Sequence, residues 1–276
     1  MAMDKKKITA ALALIPAFAW LVGWGKPEYF LALALPLGAL LGAYELGRLV
    51  LPDRKFEQAL LVVMSGFACV ASQTGEMEIA AGALCAVVIL SLTAVMFRER
   101  DLGMIFDRTA KIVFGAVYVG FLVGIVVAIK RLEPGLGNTK LLMMLFALTW
   151  AGDAGAFFAG SLWGRRKLWP AVSAGKTWEG LIGGYMATIA FGLGVAGISD
   201  VWCWQDGLIL GAVIGVFGPI GDLVESAIKR GANVKDSGMF LPGHGGVLDR
   251  IDSILFTAPI VYYYALVVGP LRIAAQ

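Results

Sequence analysis

The sequence predicts an all-α protein, a polytopic bundle of about nine transmembrane helices with a cytoplasmic N-terminus. Three observations predict it. Apolar residues make up 59% of the chain and charged residues only 16%, with a mean hydropathy of +0.79, outside the range of soluble domains. The apolar residues gather in runs of about twenty, each long enough to cross a hydrocarbon core of ~30 Å as a helix. These runs, LLVVMSGFACV among them, lack the in/out alternation of membrane barrel strands.

The spans are expected near 8–24, 29–47, 58–74, 79–97, 110–129, 141–162, 180–198, 207–228 and 252–271. With this count, only Lys26, Lys130, Arg131, Lys140 and Arg272 of the 23 Lys and Arg residues fall on the outer side. That asymmetry satisfies the positive-inside rule, and an even count would break it. The Lys run before the first span, followed by Ala17-Phe18-Ala19, imitates a signal peptide. The apolar run continues to Trp24, however, so a retained span is expected. The net charge of +3 is read as a basic inner face near anionic lipid, with no basic aromatic stripe and hence no nucleic-acid partner. Cys69, Cys85 and Cys203 are odd in number, widely spaced and in or next to apolar spans, so neither a disulfide framework nor a zinc site is expected.

Along the chain the chemistry is uneven. Residues 1–140 read as a transmembrane scaffold for packing and dimerisation, with recurrent Gly and Ala that let helices approach closely. Residues 141–276 read as a catalytic region whose polar site faces the cytoplasm. There Asp153 lies within an apolar helix, where an ionisable group is costly and marks either a bundle contact or a functional site. A short loop with Arg165, Arg166, Lys167 and Lys176 follows, then Glu179. Its cations suit either membrane anchoring or phosphate binding. Ser173, Gly175, Lys176 and Thr177 precede a span, where small residues expose backbone N–H groups to an anion. The run is not a Walker A sequence.

The eighth span places Asp222, Glu225 or Ser226, and Lys229 along one helical face, with Arg230 beside them. A Glu225–Lys229 helix pair explains part of this stripe but leaves Asp222 unaccounted for. After the span come Lys235-Asp236, then Pro242-Gly243-His244-Gly245-Gly246, then Asp249-Arg250 and Asp252. The glycines around His244 permit positive φ and close approach to a ligand, and Asp249 and Asp252 share a helix face at spacing i, i+3.

Carboxylates gathered at one membrane face suit a hard cation such as Mg²⁺, and the interleaved Lys and Arg suit phosphates. This combination points to phosphoryl or nucleotidyl transfer on a membrane-held substrate. The alternative is a secondary transporter of an anionic solute, which would place its ion-coupling groups near the midplane between broken helices.

The run SAIKRGANVKDSGMFLPGHGGVLDRID, with S-x-x-K-R, K-D, P-G-H-G-G and D-R-x-D at these spacings, resembles the signature of the phosphatidate cytidylyltransferase (CDP-diacylglycerol synthase) family. D-x-x-A-F-F-A-G and S-x-G-K-T-x-E-G, beginning at Asp153 and Ser173, resemble it too, so the likeness is close over about 150–255. Ala174 stands where family members commonly have proline. The resemblance implies a bacterial inner-membrane enzyme, commonly a homodimer, that converts CTP and phosphatidate to CDP-diacylglycerol and pyrophosphate. It implies Mg²⁺, with a potassium ion as a companion, held by Asp222, Asp236 and Asp249. Asp236, Asp249, Lys235 and His244 are then the catalytic candidates. Asp153, Ser173, Lys176, Ser226, Lys229, Arg230 and Arg250 are the substrate-binding candidates. His244 is expected to organise its loop or hydrogen-bond substrate rather than act as a base, because phosphatidate already carries an anionic oxygen.

Overall fold

The structure, a computed structural model, describes residues 25–132, 138–197, 202–238 and 245–274. Eight helices are each long and apolar enough to cross a membrane, and they coincide with eight of the expected spans. The first expected span, near 8–24, lies outside the described residues. The helices are α1 (Pro27–Val50), α2 (Lys55–Ser72), α3 (Met77–Arg98), α4 (Gly103–Arg131), α5 (Asn138–Trp163), α6 (Trp178–Gly197), α7 (Trp204–Gly231) and α8 (Leu248–Ala274). Large apolar side chains such as Val63, Ile89, Phe157 and Ile182 point outward and are 60% exposed or more, which only a lipid surround makes favourable. The chain is an integral membrane protein with multiple spans.

Local irregularities follow from local chemistry. Pro27 opens α1, where its missing N–H costs nothing. Within the same helix, Ala34–Leu41 is π-helical and contains Pro36, which has no N–H to offer the helical ladder. A second π-helical stretch, Ala116–Phe121, interrupts α4 where Gly120 lies directly against the backbone of Ser65 in α2. The α1–α2 connection turns through Asp53 at φ 60°, and Asn233, at φ 58°, follows the end of α7. Asp and Asn enter this left-handed region more readily than other side chains.

The second half of the bundle is joined through small residues. A Cβ on Gly184 of α6 would sit 2.7 Å from the carbonyl oxygen of Gly152 on α5, and Gly207 of α7 abuts the backbone of Gly192 on α6. Gly221 of α7 rides on α8, where a Cβ would come within 2.6 Å of the Asp252 carbonyl. Such backbone-to-backbone contact replaces the hydrophobic driving force that lipid does not supply. Two apolar cores result. One joins α4, α5, α7 and α8 around Ile129, Leu145, Leu210 and Val261; the other joins α1 to α4 around Leu46, Leu61 and Ile112, with Leu248 and Leu255 of α8. Helix α8 thus ties the two halves together.

Between α5 and α6 the chain forms a small antiparallel hairpin, β1 (Lys167–Trp169) and β2 (Ser173–Thr177). The sequence predicts a loop there, and the structure forms two paired strands instead. Pro170 and Ala171 make the turn, closed by the Val172 N–H donating to the Trp169 carbonyl at 3.1 Å. Ser173 to Thr177 is therefore a strand leading into α6.

Gly120→Ala is expected to destabilise the protein by about 1–3 kcal/mol through overpacking against Ser65. Gly82→Ala, on an open face of α3, is expected to be neutral or mildly stabilising. Thermal unfolding of both variants in detergent checks the contrast.

Candidate active site

Helices α5 to α8 and the hairpin enclose a cavity of about 660 Å³. Asp153 faces it from α5, Lys176 from β2, Asp222 and Lys229 from α7, and Asp249, Asp252 and Ser253 from the first turns of α8. Small residues make the space: Gly152 and Gly160 on α5, Gly175 on the hairpin and Gly180 on α6 all line it. The Thr177 hydroxyl accepts the Gly180 N–H at 3.1 Å, capping α6. Glu179 accepts the backbone N–H groups of Arg165 and Arg166 at 3.0 and 3.2 Å, which fixes the hairpin at the helix end.

Ion pairs hold the charges in place. Lys176 Nζ lies 2.7 Å from Asp222 Oδ2, and the Ser226 hydroxyl donates to Asp222 Oδ1 at 3.3 Å. Lys229 sits between Glu225, which is fully buried, and Asp249, whose Oδ1 is 2.5 Å away. The other oxygen of Asp249 accepts the N–H of Gly246 at 2.8 Å and of Ser237 at 3.2 Å. Gly245 takes φ 80°, a conformation glycine adopts without strain, so that the loop can wrap this carboxylate. The cavity wall carries four carboxylates and two ammonium groups, a surplus of negative charge. An all-oxygen donor set with excess charge has the chemistry a hard divalent cation requires, although no three of the described His, Cys, Asp and Glu side chains converge tightly enough to enclose an ion.

The structure brings Asp153, Lys176, Asp222, Lys229 and Asp249 together, with Ser226 behind Asp222. Other candidates stand apart. Lys235 and Asp236 are exposed in the α7–α8 connection, and Asp236 is not part of the cavity wall. Arg250 is exposed and also outside that wall, as is the half-buried Ser173. The Arg230 guanidinium donates to the carbonyls of Val172 at 3.2 Å and Val234 at 3.1 Å, tying the hairpin to the end of α7. His244 lies outside the described residues.

Two acidic residues were missed. Asp252, whose i, i+3 spacing from Asp249 marks only a shared helix face, lines the cavity. Glu45, near the end of α1, is 3% exposed and reaches across the bundle to the start of α8. Its carboxylate accepts the N–H of Val247 at 3.1 Å and of Leu248 at 2.9 Å, and its Oε2 lies 2.9 Å from the Ser237 hydroxyl. Gly238 packs against it so closely that a Cβ there would lie 2.5 Å from Oε1. The available signal was a lone carboxylate in an apolar segment, which the membrane makes informative.

A multispanning membrane protein with charged groups from α5, β2, α7 and α8 on the wall of a polar cavity fits the class of integral membrane enzymes that handle charged groups. The chain is a member of the cytidylyltransferase family, whose model matches residues 5–268. It is 40% identical over 193 residues to a phosphatidate cytidylyltransferase of Bacillus subtilis strain 168, covering 68% of this chain and 67% of the relative. It is 38% identical over 160 residues to a phosphatidate cytidylyltransferase of Staphylococcus epidermidis RP62A, covering 56% of this chain and 58% of the relative. It is also 46% identical over 128 residues to the uncharacterized protein YnbB of Escherichia coli K12, covering 46% of this chain and 43% of that protein.

Replacing Glu45 tests the crossing contact. Glu45→Ala strands two backbone donors in an apolar setting and is expected to cost about 2–4 kcal/mol. Glu45→Gln keeps one acceptor oxygen and is expected to fall between Ala and wild type. Thermal unfolding, with amide exchange at Val247 and Leu248, reads both effects.

Proposed function

We propose that the chain is a phosphatidate cytidylyltransferase, converting CTP and phosphatidate to CDP-diacylglycerol and pyrophosphate. The observation that carries this reading is that Asp153, Lys176, Lys229 and Asp249, drawn from three separate signature stretches, line one cavity together with Asp222. Its wall combines carboxylates with ammonium groups, the two kinds of group that triphosphate transfer requires. The basic residues gathered at this end support a site facing the cytoplasm, and the family resemblance supports a bacterial inner membrane and a homodimer.

A non-bridging oxygen of the lipid phosphate attacks the α-phosphorus of CTP. The new O–P bond forms as the bond from that phosphorus to the oxygen bridging to the β-phosphate breaks, and pyrophosphate leaves with the electron pair. The attacking oxygen is already anionic, so no general base is required. Lys176 and Lys229 attract the phosphates, while Ser226 and the Gly246 N–H hold Asp222 and Asp249 in orientation. Arg230 sets the hairpin that presents Lys176. Lys235, Arg250 and Ser173, at or near the rim, would meet the phosphates or the lipid headgroup on approach.

Asp222 and Asp249, with Asp153 and Asp252 on the same wall, are the residues that would hold Mg²⁺. Bound there, the ion would neutralise phosphate charge and polarise the α-phosphorus, and a companion potassium ion would further offset the carboxylate surplus. Asp236, exposed in the adjoining connection, would have to turn inward to join them.

Purified protein given CTP, phosphatidate and Mg²⁺ is expected to release pyrophosphate only when all three are present. Asp249→Asn is expected to lower the rate roughly a hundredfold or more; turnover that survives this change, or needs no lipid, would overturn the reading. His244→Ala is expected to reduce the rate less than Asp249→Asn in the same assay, and equal loss would return His244 to an essential role.

A further inference from the structure

A second polar cavity, of about 520 Å³, lies where the α1–α2 and α3–α4 connections meet. It shares no lining residue with the candidate active site. Arg108 forms part of its wall: buried, it pairs with Glu57 at 3.5 Å and with Glu99, so its charge is satisfied within the protein. Arg98 lies over the Phe56 ring, 4.3 Å from the centroid, and is exposed. Arg54, Lys55 and Arg100 also line the cavity, are exposed, and make no ion pair among the described residues. Asp53 is the remaining carboxylate, so cations outnumber carboxylates by five to three.

The surroundings of this basic cavity are apolar and outward-facing. Phe97, beside Arg98, is 82% exposed; Leu102 and Phe106, at the start of α4, are 80% and 82% exposed. Basic groups flanked by unpartnered apolar side chains, at the ends of membrane-spanning helices, occupy the depth of lipid headgroups. The cavity opens at the same end of the bundle as the candidate active site, because Glu45, near the end of α1, bonds the N-terminus of α8.

We propose that this cavity binds the phosphate of an anionic phospholipid headgroup, at a site separate from the one that carries out the reaction. The planar guanidinium groups of Arg98 and Arg100 suit phosphate oxygens, Arg54 and Lys55 add charge at the mouth, and the acyl chains lie over Phe97, Leu102 and Phe106. A free phosphate would satisfy the charge but leave those apolar side chains uncovered. The inference does not depend on the proposed reaction, since the ligand is read by binding alone.

The test titrates the delipidated full-length protein in neutral detergent with phosphatidylglycerol, phosphatidylcholine or inorganic phosphate, and counts bound lipids by native mass spectrometry. Wild type is expected to bind phosphatidylglycerol more tightly than phosphatidylcholine. The Arg54→Gln/Arg100→Gln double variant removes two exposed, unpaired charges, so the fold is expected to persist, as its unfolding temperature checks. It is expected to weaken phosphatidylglycerol binding by about tenfold or more and leave phosphatidylcholine unchanged. Lys111→Gln, which removes a cation paired with Asp107 and outside the cavity lining, is expected to bind like wild type. Lys55→Gln offers a milder second variant, expected to weaken binding several-fold. Unchanged affinity in the double and Lys55 variants, equal weakening by Lys111→Gln, or displacement of the lipid by millimolar inorganic phosphate would each overturn the proposal.

Discussion

An ammonium group in an apolar bundle survives only if its charge is met at close range, and Lys229, held between Glu225 and Asp249, is the point from which the site is organised. Asp249 reaches in turn to the Ser237 hydroxyl at 3.0 Å, and Ser237 to Glu45. A continuous line of polar contacts therefore runs from α7 through the start of α8 to α1. The serine hydroxyl has one hydrogen, so it donates to one carboxylate at a time; the backbone N–H groups of Gly246, Val247 and Leu248 supply the remaining bonds. Cutting this line at any point leaves a buried charge or a helix N-terminus unmet. The first half of the chain is thus structurally bound to the half that lines the polar cavity.

Close helix packing does the complementary work. Since lipid tails compete equally well for apolar side chains, α5 to α8 are drawn together by backbone approach at glycines, seen where Gly184 meets Gly152 and Gly207 meets Gly192. The same small residues keep side chains out of the space between the helices, so the interfaces that tighten one level of the bundle leave a cavity at another. Gly152, Gly160 and Gly180 serve both ends: they lie in or beside these contacts and line the polar cavity. Packing and site formation are one arrangement read at two depths.

What the sequence made legible were features set by short-range periodicity. Hydropathy located eight described spans, and the 3.6-residue repeat put Asp222, Ser226 and Lys229 on one face, where Ser226 and Asp222 are bonded. The motif residues around Asp153, Lys176 and Asp249 do share a cavity. Glu45 stayed hidden because its partners are about 200 residues away in the chain, and no local pattern marks such a contact. The hairpin was hidden for another reason: three- and five-residue strands around Pro170, with Gly175 inside one, are too short to show alternation. Arg230 carries the charge expected of a phosphate ligand, yet folding turns it onto the carbonyl of Val172, which only the placement of the hairpin determines. Asp236 follows the same logic in reverse, since its membership of a motif does not fix which way its connection faces.

The balance of charge on the cavity wall constrains how an anionic substrate enters. Lys176 and Lys229 are already engaged by Asp222 and Asp249, so phosphates approaching alone would meet a wall on which carboxylates outnumber ammonium groups by four to two. At an effective dielectric near 20, one pair of like charges ~4 Å apart costs about 4 kcal/mol, and a triphosphate would form several such pairs. Phosphates can therefore settle only if the two lysines exchange their carboxylate partners for phosphate oxygens while positive charge enters to hold the released carboxylates. The ion pairs Lys176–Asp222 and Lys229–Asp249 keep both sets of charges oriented in an apolar bundle, and a ligand of matching charge would have to replace one member of each pair.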